Sequence, residues 1–487
     1  MIARPLHASA RVAIAAALLI AFPLAAQSKL DRSAVPKAGK SPSLHVPTWT
    51  KTKLANGADL VVVEKHDLPL VALNIDFIGG ATSFEPADKL GVSAFAGQML
   101  SEGTTSKTAE QLSDAMQMLG TQIFANVGNE TGTIRFTSLK DKFEPALMLL
   151  ADMMLNSTNP EASLERNRAR TLVQLTQAKD QPNTIAANVF SKVVYGDEHP
   201  YGRVVSEKTV KAVTRDDVIA FQKAYFRPGR AVITVSGDID PKTARSIVEK
   251  TLAAWPAGGE RPSFAYSAVP APKARTIYLI DKPKAAQSVF AFGEPGPPRS
   301  TPDYYAIQVM NNLLGGLFQS RLNHDIREVK GYSYGVGSNF AYGRGPGAFE
   351  AGGGIVSAKT DSALIGFMTH FKGVQGQMPF TDDEVKQGKE SLIQSLPGRF
   401  ATVNGIAAAI SSIYTQDLPE TYFKNYAAKI DAVTRGDLTR VARKYIDVDH
   451  MHLVIVGDRA SIEAPLRATG IAPIQLLDVE GRPVLVP

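Results

Sequence analysis

Val213-Thr214-Arg215-Asp216-Asp217-Val218 returns as Val433-Thr434-Arg435-Gly436-Asp437-Leu438, 220 residues further along the chain. Ala224-Tyr225-Phe226 returns as Lys444-Tyr445-Ile446 at the same offset, and Val235-Ser236-Gly237-Asp238 returns as Ile455-Val456-Gly457-Asp458. A constant offset with turn and strand signals in step is the mark of an internal duplication. The two copies also open alike. Residues 58–63 form an apolar run that leads through Lys65-His66-Asp67-Leu68-Pro69 into residues 71–77, and residues 276–280 lead through Asp281-Lys282-Pro283 into residues 288–292. Both read as antiparallel strand pairs, rich in β-branched and aromatic residues. Helical patterns over 141–155 and 164–178 follow without strict strand–helix alternation. The expected class is therefore α+β: two homologous domains, each a mostly antiparallel sheet with helices packed on it.

Residues 257–273, with Gly258, Gly259, Pro262, Pro270 and Pro272, separate the copies as a linker. The expected divisions are a first domain over 48–256, a second over 274–470, and a tail over 471–487. The chain begins like a secretory signal over 1–27. Arg4 and Arg11 precede an apolar run from Val12 to Ala21, and Pro23-Leu24-Ala25-Ala26-Gln27 follows. A mobile leader over 28–47 comes next. No later stretch reaches the roughly 18 apolar residues of a membrane span. The absence of cysteine excludes disulfides and a lipid-modified N-terminal Cys. A bacterial periplasmic location is the reading that fits. Residues 1–27 hold Arg4 and Arg11 and no acid, so their removal lowers the formal charge from +6 to +4. That charge is small and forms no basic runs, which argues against a nucleic-acid partner.

Leu90-Gly91-Val92-Ser93-Ala94-Phe95-Ala96-Gly97-Gln98-Met99-Leu100-Ser101-Glu102-Gly103-Thr104 carries the chemical signal. The segment resembles the zinc-site helix of the inverzincin peptidases, the pitrilysin and mitochondrial-processing-peptidase superfamily, which carries H-x-x-E-H. The resemblance extends over most of the chain. It includes Leu54-Ala55-Asn56-Gly57, Gly79-Gly80, Gly120, Asp180-Gln181-Pro182 and His199-Pro200-Tyr201-Gly202. In the family frame Ala94 and Gln98 stand at the two His positions and Gly97 at the general-base Glu. Gln174 stands at the downstream Glu ligand. The chemistry needs two imidazoles four residues apart on one helical face and a carboxylate beside them. None of these four residues supplies it.

A second family segment retains its polar groups. Gly315-Gly316-Leu317-Phe318-Gln319-Ser320-Arg321-Leu322 leads to Arg327, and Gly331-Tyr332-Ser333-Tyr334 follows. The resemblance implies that Arg327 and Tyr334 reach substrate across a closed chamber, with Tyr332 the substitute if the register slips by two. Gly331 is expected to end the helix in a left-handed cap. From the residues alone Arg327 reads better as a helix-end salt bridge to Asp325 or Glu328, and Tyr334 as a half-buried strand aromatic; the family frame reverses that preference. His450 and His452 stand at strand spacing, where a metal pair is conceivable, but they read better as residues flanking the strand 453–456. His199 reads as a structural hydrogen-bonding residue. Gly343-Arg344-Gly345-Pro346-Gly347 and Gly352-Gly353-Gly354 read as Gly-rich loops without phosphate-loop spacing.

The resemblance implies half of a clamshell. In that arrangement this chain is a non-catalytic, substrate-binding subunit of a heterodimeric zinc endopeptidase. It would hold no metal itself, and a homologous partner with an intact H-x-x-E-H would carry the zinc. Two rival readings are an assembly subunit resembling respiratory-complex core proteins and a stand-alone peptide-binding protein.

Overall fold

The computed structural model describes residues 44–264, 266–270 and 272–484. The expected signal segment and the leader up to residue 43 lie outside the described residues. Two six-stranded sheets are present. The first contains β1 (Thr50–Lys53), β2 (Asp59–Glu64), β3 (Leu70–Ile78), β4 (Phe124–Val127), β5 (Thr131–Leu139) and β6 (Ala231–Gly237), in the order β1-β2-β6-β3-β5-β4. The second contains β7 (Thr276–Asp281), β8 (Gln287–Gly296), β9 (Ser333–Ala341), β10 (Gly347–Val356), β11 (His452–Gly457) and β12 (Ile474–Leu477), in the order β12-β7-β11-β8-β10-β9. The orders coincide strand for strand apart from the outer strand, which is antiparallel β1 in one sheet and parallel β12 in the other. The expected α+β class and its duplication are what the structure shows.

Two expectations need correction. The runs read as paired strands, β2 with β3 and β7 with β8, are not neighbours. β6 inserts between the first two, parallel to β2 and antiparallel to β3, and β11 does the same between β7 and β8. Every residue of β6 and of β11 is buried. A strand apolar on both faces needs a partner along each edge and layers above and below, so it takes the middle of the sheet. In addition, residues 471–487, expected as a tail, contain β12, which completes the second sheet through its pairing with β7.

Local chemistry explains the repeated helix starts. Thr214 and Thr434 each accept from the backbone N–H three residues on, while Asp217 and Asp437 reach back to the threonine N–H. These reciprocal caps satisfy two of the N–H groups that a helix start leaves unpaired.

The sheets exchange helices. Helix Pro182–Tyr195 belongs to the first half in sequence, yet its Val189 and Phe190 pack with Ala291, Val454 and Val456 of the second sheet. Helix Val403–Thr415 sits near the 220-residue offset in the second half and returns the favour. Val403 and Ala407 pack on Ala72 of β3, Asn404 accepts from Thr137, and Ser411 donates to the buried carboxylate of Asp76. The domain division placed at 257–273 marks where the duplication changes copy, but the packing crosses it.

Candidate functional site

The Val92–Gln98 helix connects β3 to β4. Its start is held by the Glu85 carboxylate, which accepts from the N–H groups of Gly91 at 3.0 Å and Ser93 at 2.8 Å. Negative charge at a helix start is favourable because the unpaired N–H groups gather there. Val92, Ser93, Phe95, Ala96 and Gly97 are buried, which leaves Ala94 and Gln98 as the exposed face. Those two positions, four apart, present their side chains together. Ala94 borders a cavity of about 200 Å³ with Ser93, Asn129 and Arg203. Gly97 faces β4, and a Cβ there would stand 3.2 Å from the Ala125 carbonyl oxygen. Strand backbone thus crowds the position where a general-base carboxylate would begin.

Helix Glu161–Ala178 lies alongside. Arg166 pairs with Glu102, and the Asn167 amide reaches Glu102 at 3.3 Å and the Met99 sulfur at 3.7 Å. Gln174 lies on this helix about two turns beyond Asn167 and is exposed. In the family frame Ala94, Gln98 and Gln174 are the positions that would hold a metal. The side chains do not fit zinc. A methyl group and a hydrogen donate nothing, and two primary amides lack the charge and softness of imidazole or carboxylate ligands. No group of three or more His, Asp or Glu side chains able to hold a metal occurs among the described residues. His450 lies outside the strand and contacts Asp447 at 2.8 Å. His452 is buried at the start of β11 with Nδ1 3.3 Å from the Tyr278 hydroxyl, so the two do not face each other. Burial alone holds the His452 imidazole down at about 4, and it remains neutral.

Arg327 lies in a π-helical turn, His324–Val329. Such turns are rare and recur at functional positions. Gly331 ends the helix as expected, at φ +65°, with its N–H donating to Arg327 and that of Tyr332 donating to Ile326. The Arg327 guanidinium lies 4.4 Å above the Phe318 ring and 3.0 Å from the Glu328 carboxylate. The salt-bridge partner foreseen for a purely structural arginine is thus present at Glu328, while Asp325 pairs with Lys330 and His370 instead.

Tyr334 lies on β9, the outer strand of the second sheet. It is 88% exposed rather than half-buried. The register of β9 against β10 slips here, so that Tyr334 and Gly335 together oppose Gly354. A bulge of this kind re-aims the side chain of an outer strand. Ser333 pins it by donating to the Gly354 carbonyl at 2.6 Å and accepting from Gly335 N–H at 2.9 Å. Asn323 ties the segments together, its side-chain oxygen accepting from Val336 N–H at 3.1 Å. Arg327 and Tyr334 share this corner without touching each other. No hydrogen bond, ion pair or ring contact links either to the Val92–Gln98 helix among the described residues. Tyr332 is half-buried beneath the Lys359 ammonium and has less freedom to reach outward.

The glycine segments divide. Residues 343–346 form the β9–β10 turn, whereas Gly352, Gly353 and Gly354 lie inside β10. Gly352 is pressed against Phe290 backbone, with no room for a Cβ, and Gly353 adopts φ +148° at the bulge. These three residues form not a loop but a strand that needs close approach.

Sequence reading missed the junction around Glu130. Its carboxylate accepts from the hydroxyls of Tyr201 and Tyr266 and from Arg344 N–H. The β4–β5 turn, the His199–Gly202 loop, the linker and the β9–β10 turn meet there. His199 proves structural, its Nδ1 accepting from Tyr201 N–H at 3.1 Å. The one available signal was the loop motif, since Glu130 itself stands among no recognisable pattern.

The family comparisons agree with this geometry. The family model for Insulinase (Peptidase family M16) matches residues 61–203, and that for the Peptidase M16 inactive domain matches residues 212–392. The uncharacterized zinc protease YmxG of Bacillus subtilis is 28% identical over 283 residues, covering 58% of this chain and 67% of that protein. The uncharacterized zinc protease SCO5738 of Streptomyces coelicolor is 24% identical over 413 residues, covering 82% and 87%. Among solved structures, a peptidase M16 inactive domain from Pseudomonas fluorescens superposes with a TM-score of 0.77 at 26% identity, covering 84% of this chain and 98% of that one. Duplicated sheets, a zinc-type helix in the family's place and matches in both halves converge on one assignment: this chain belongs to peptidase family M16.

Proposed function

We propose that the chain is the non-catalytic, substrate-binding subunit of a two-chain zinc endopeptidase. The observation that carries this reading is a contrast within one fold. The family's metal and general-base positions fall on Ala94, Gly97, Gln98 and Gln174, while Tyr334 stands 88% exposed on a bulged outer strand that follows the turn carrying Arg327. A homologous partner bearing an intact H-x-x-E-H would supply the zinc and the water-activating carboxylate. This chain would supply Arg327 and Tyr334 in trans and part of the chamber wall. The guanidinium offers forked donors to a peptide carbonyl. The phenol offers a hydrogen bond where negative charge develops on the attacked carbonyl oxygen. The expected location is the periplasm, reached through the signal over 1–27. No helix among the described residues is long and apolar enough to cross a membrane.

The test is to purify the chain and a homologous H-x-x-E-H chain and assay cleavage of an unstructured peptide by each and by both. Cleavage by the mixture well above either chain alone supports the reading. Co-purification with a membrane complex, and no cleavage in any mixture, would favour an assembly subunit. Tight peptide binding by the isolated chain, unaltered by the second chain, would favour a stand-alone binding protein.

A further inference from the structure

A cavity of about 800 Å³ lies where the two halves meet, between the β4–β5 turn, the end of helix Pro182–Tyr195, the β9–β10 turn and the helices that end at Arg399 and begin at Tyr422. Its size suits a short peptide segment or a drug-sized molecule. Its wall combines phenol rings with guanidinium groups: Tyr304, Tyr342 and Tyr422 with Arg299, Arg344 and Arg399.

The charges there do not cancel. Arg344 is engaged with Asp417 and the Thr415 carbonyl. Glu130, the lone carboxylate of the wall, already accepts from two tyrosine hydroxyls and a backbone N–H. Arg299 and Arg399 face no carboxylate among the described residues. The Arg299 guanidinium lies over two rings, 3.5 Å from the Tyr304 ring centroid and 5.2 Å from that of Tyr422. Its backbone N–H is fixed to the Gly343 carbonyl at 2.9 Å. The rings stabilise the cation, and its side-chain N–H donors have no protein acceptor among the described residues. Arg399, at the end of helix Asp382–Arg399, is exposed and has no side-chain hydrogen bond or ion pair among the described residues. Two unneutralised guanidiniums, one of them held against tyrosine rings, in a phenol-walled hollow form a receptor for an anion on an apolar or aromatic body.

We infer that this cavity binds the carboxylate of a peptide, with Arg299 and Arg399 as its donors and the tyrosine rings packing the neighbouring side chains. The carboxylate belongs to a chain terminus or to an Asp or Glu side chain. The site lies wholly within this chain and does not rest on the proposed partnership with a zinc-bearing subunit.

Calorimetric titration of the mature chain with three short, N-acetylated, tyrosine-containing peptides tests it. One has a free C-terminus, one is the C-terminal amide, and one is that amide with an internal Glu. Binding of the free acid that weakens at least about tenfold on amidation assigns the site to a chain terminus, and recovery in the Glu-containing amide assigns it to an acidic side chain. Either result supports the proposal. Arg399→Gln removes an exposed, unpartnered charge and should weaken binding about tenfold without altering the fold; Arg299→Gln should weaken it further. Equal affinity for all three peptides, no binding of any, equal competition by inorganic phosphate, or unchanged affinity in Arg399→Gln and Arg299→Gln would each overturn it.

Discussion

The connections from β3 to β4 and from β8 to β9 occupy equivalent places in the two halves, and their contents have diverged. In the first half the connection includes a short helix whose exposed face, Ala94 and Gln98, carries no imidazole, thiolate or carboxylate. In the second it includes two π-helical turns, Asn312–Gly316 and His324–Val329, and ends in a bulge that throws Tyr334 into solvent. The first keeps a regular helix at 92–98, with left-handed glycines confined to its ends and turns at Gly79, Gly91, Gly103 and Gly120. The second keeps irregular backbone, with Phe318 and Tyr334 exposed at its surface and Arg327 half-buried beside Phe318. Irregular backbone costs stability, so its presence around Arg327 and Tyr334 points to use, whereas the smooth helix at 92–98 bears no such cost.

The halves also depend on each other through the exchanged helices, and the largest effect should come from breaking that exchange. Phe190 is buried on the second sheet directly over Gly293, though it belongs to the first half in sequence. Phe190→Ala should cost about 3–5 kcal/mol, read from denaturant unfolding. Loss should appear in probes of both halves at once. Separate transitions, with the first half unaffected, would show that the halves are energetically independent.

The next comparison concerns the two connections themselves. In a mixture with a zinc-bearing homologue, Arg327→Ala and Tyr334→Phe should each lower kcat/KM about 10- to 100-fold, because each removes a donor to the reacting carbonyl. Phe318→Leu, which removes the ring under the guanidinium while keeping an apolar side chain, should lower it about threefold through looser positioning. Unchanged rates for the first two variants would remove the functional distinction between the connections.

A smaller effect lies inside the second sheet. Burial pushes the Glu294 carboxyl up to about 8, although Asp447 N–H donates to it. Its folded-state value exceeds the ordinary 4.5, so the protonated form is the one the fold favours. Its contribution to stability is therefore complete below pH 4.5 and declines as pH rises toward 8. Glu294→Gln retains an acceptor for Asp447 N–H and should flatten that decline, a gain of about 1–2 kcal/mol at pH 8. Thermal unfolding between pH 5 and 8 measures it, and parallel curves for the two proteins would contradict it. Smallest of all, Ala94→His with Gln98→His should create weak transition-metal binding on the exposed helix face without peptide cleavage, because Gly97 supplies no carboxylate to take a proton from metal-bound water.

The sequence made the duplication legible because capping threonines and strand-ending glycines repeat at a fixed offset. The resemblance puts the family's three ligand positions on Ala94, Gln98 and Gln174 and its general-base position on Gly97 in one frame. Strand order was not legible. β2 and β3 are close in sequence, and nothing local announces that Ala231–Gly237 will return to lie between them. The exposure of Tyr334 was also hidden, since a bulge arises from the pairing of two strands and not from either alone. Glu130 and the cavity beside Arg299 were invisible for the same reason: their partners come from residues 201, 266, 344 and 399, which converge only after folding.

The central claim is that this chain's own zinc position no longer serves catalysis. The most direct measurement is the zinc content and peptide hydrolysis of the purified mature chain after equilibration with zinc and removal of excess metal. The account predicts no stoichiometric zinc and no hydrolysis by the chain alone. One zinc per chain, with hydrolysis abolished by a chelator, would contradict it.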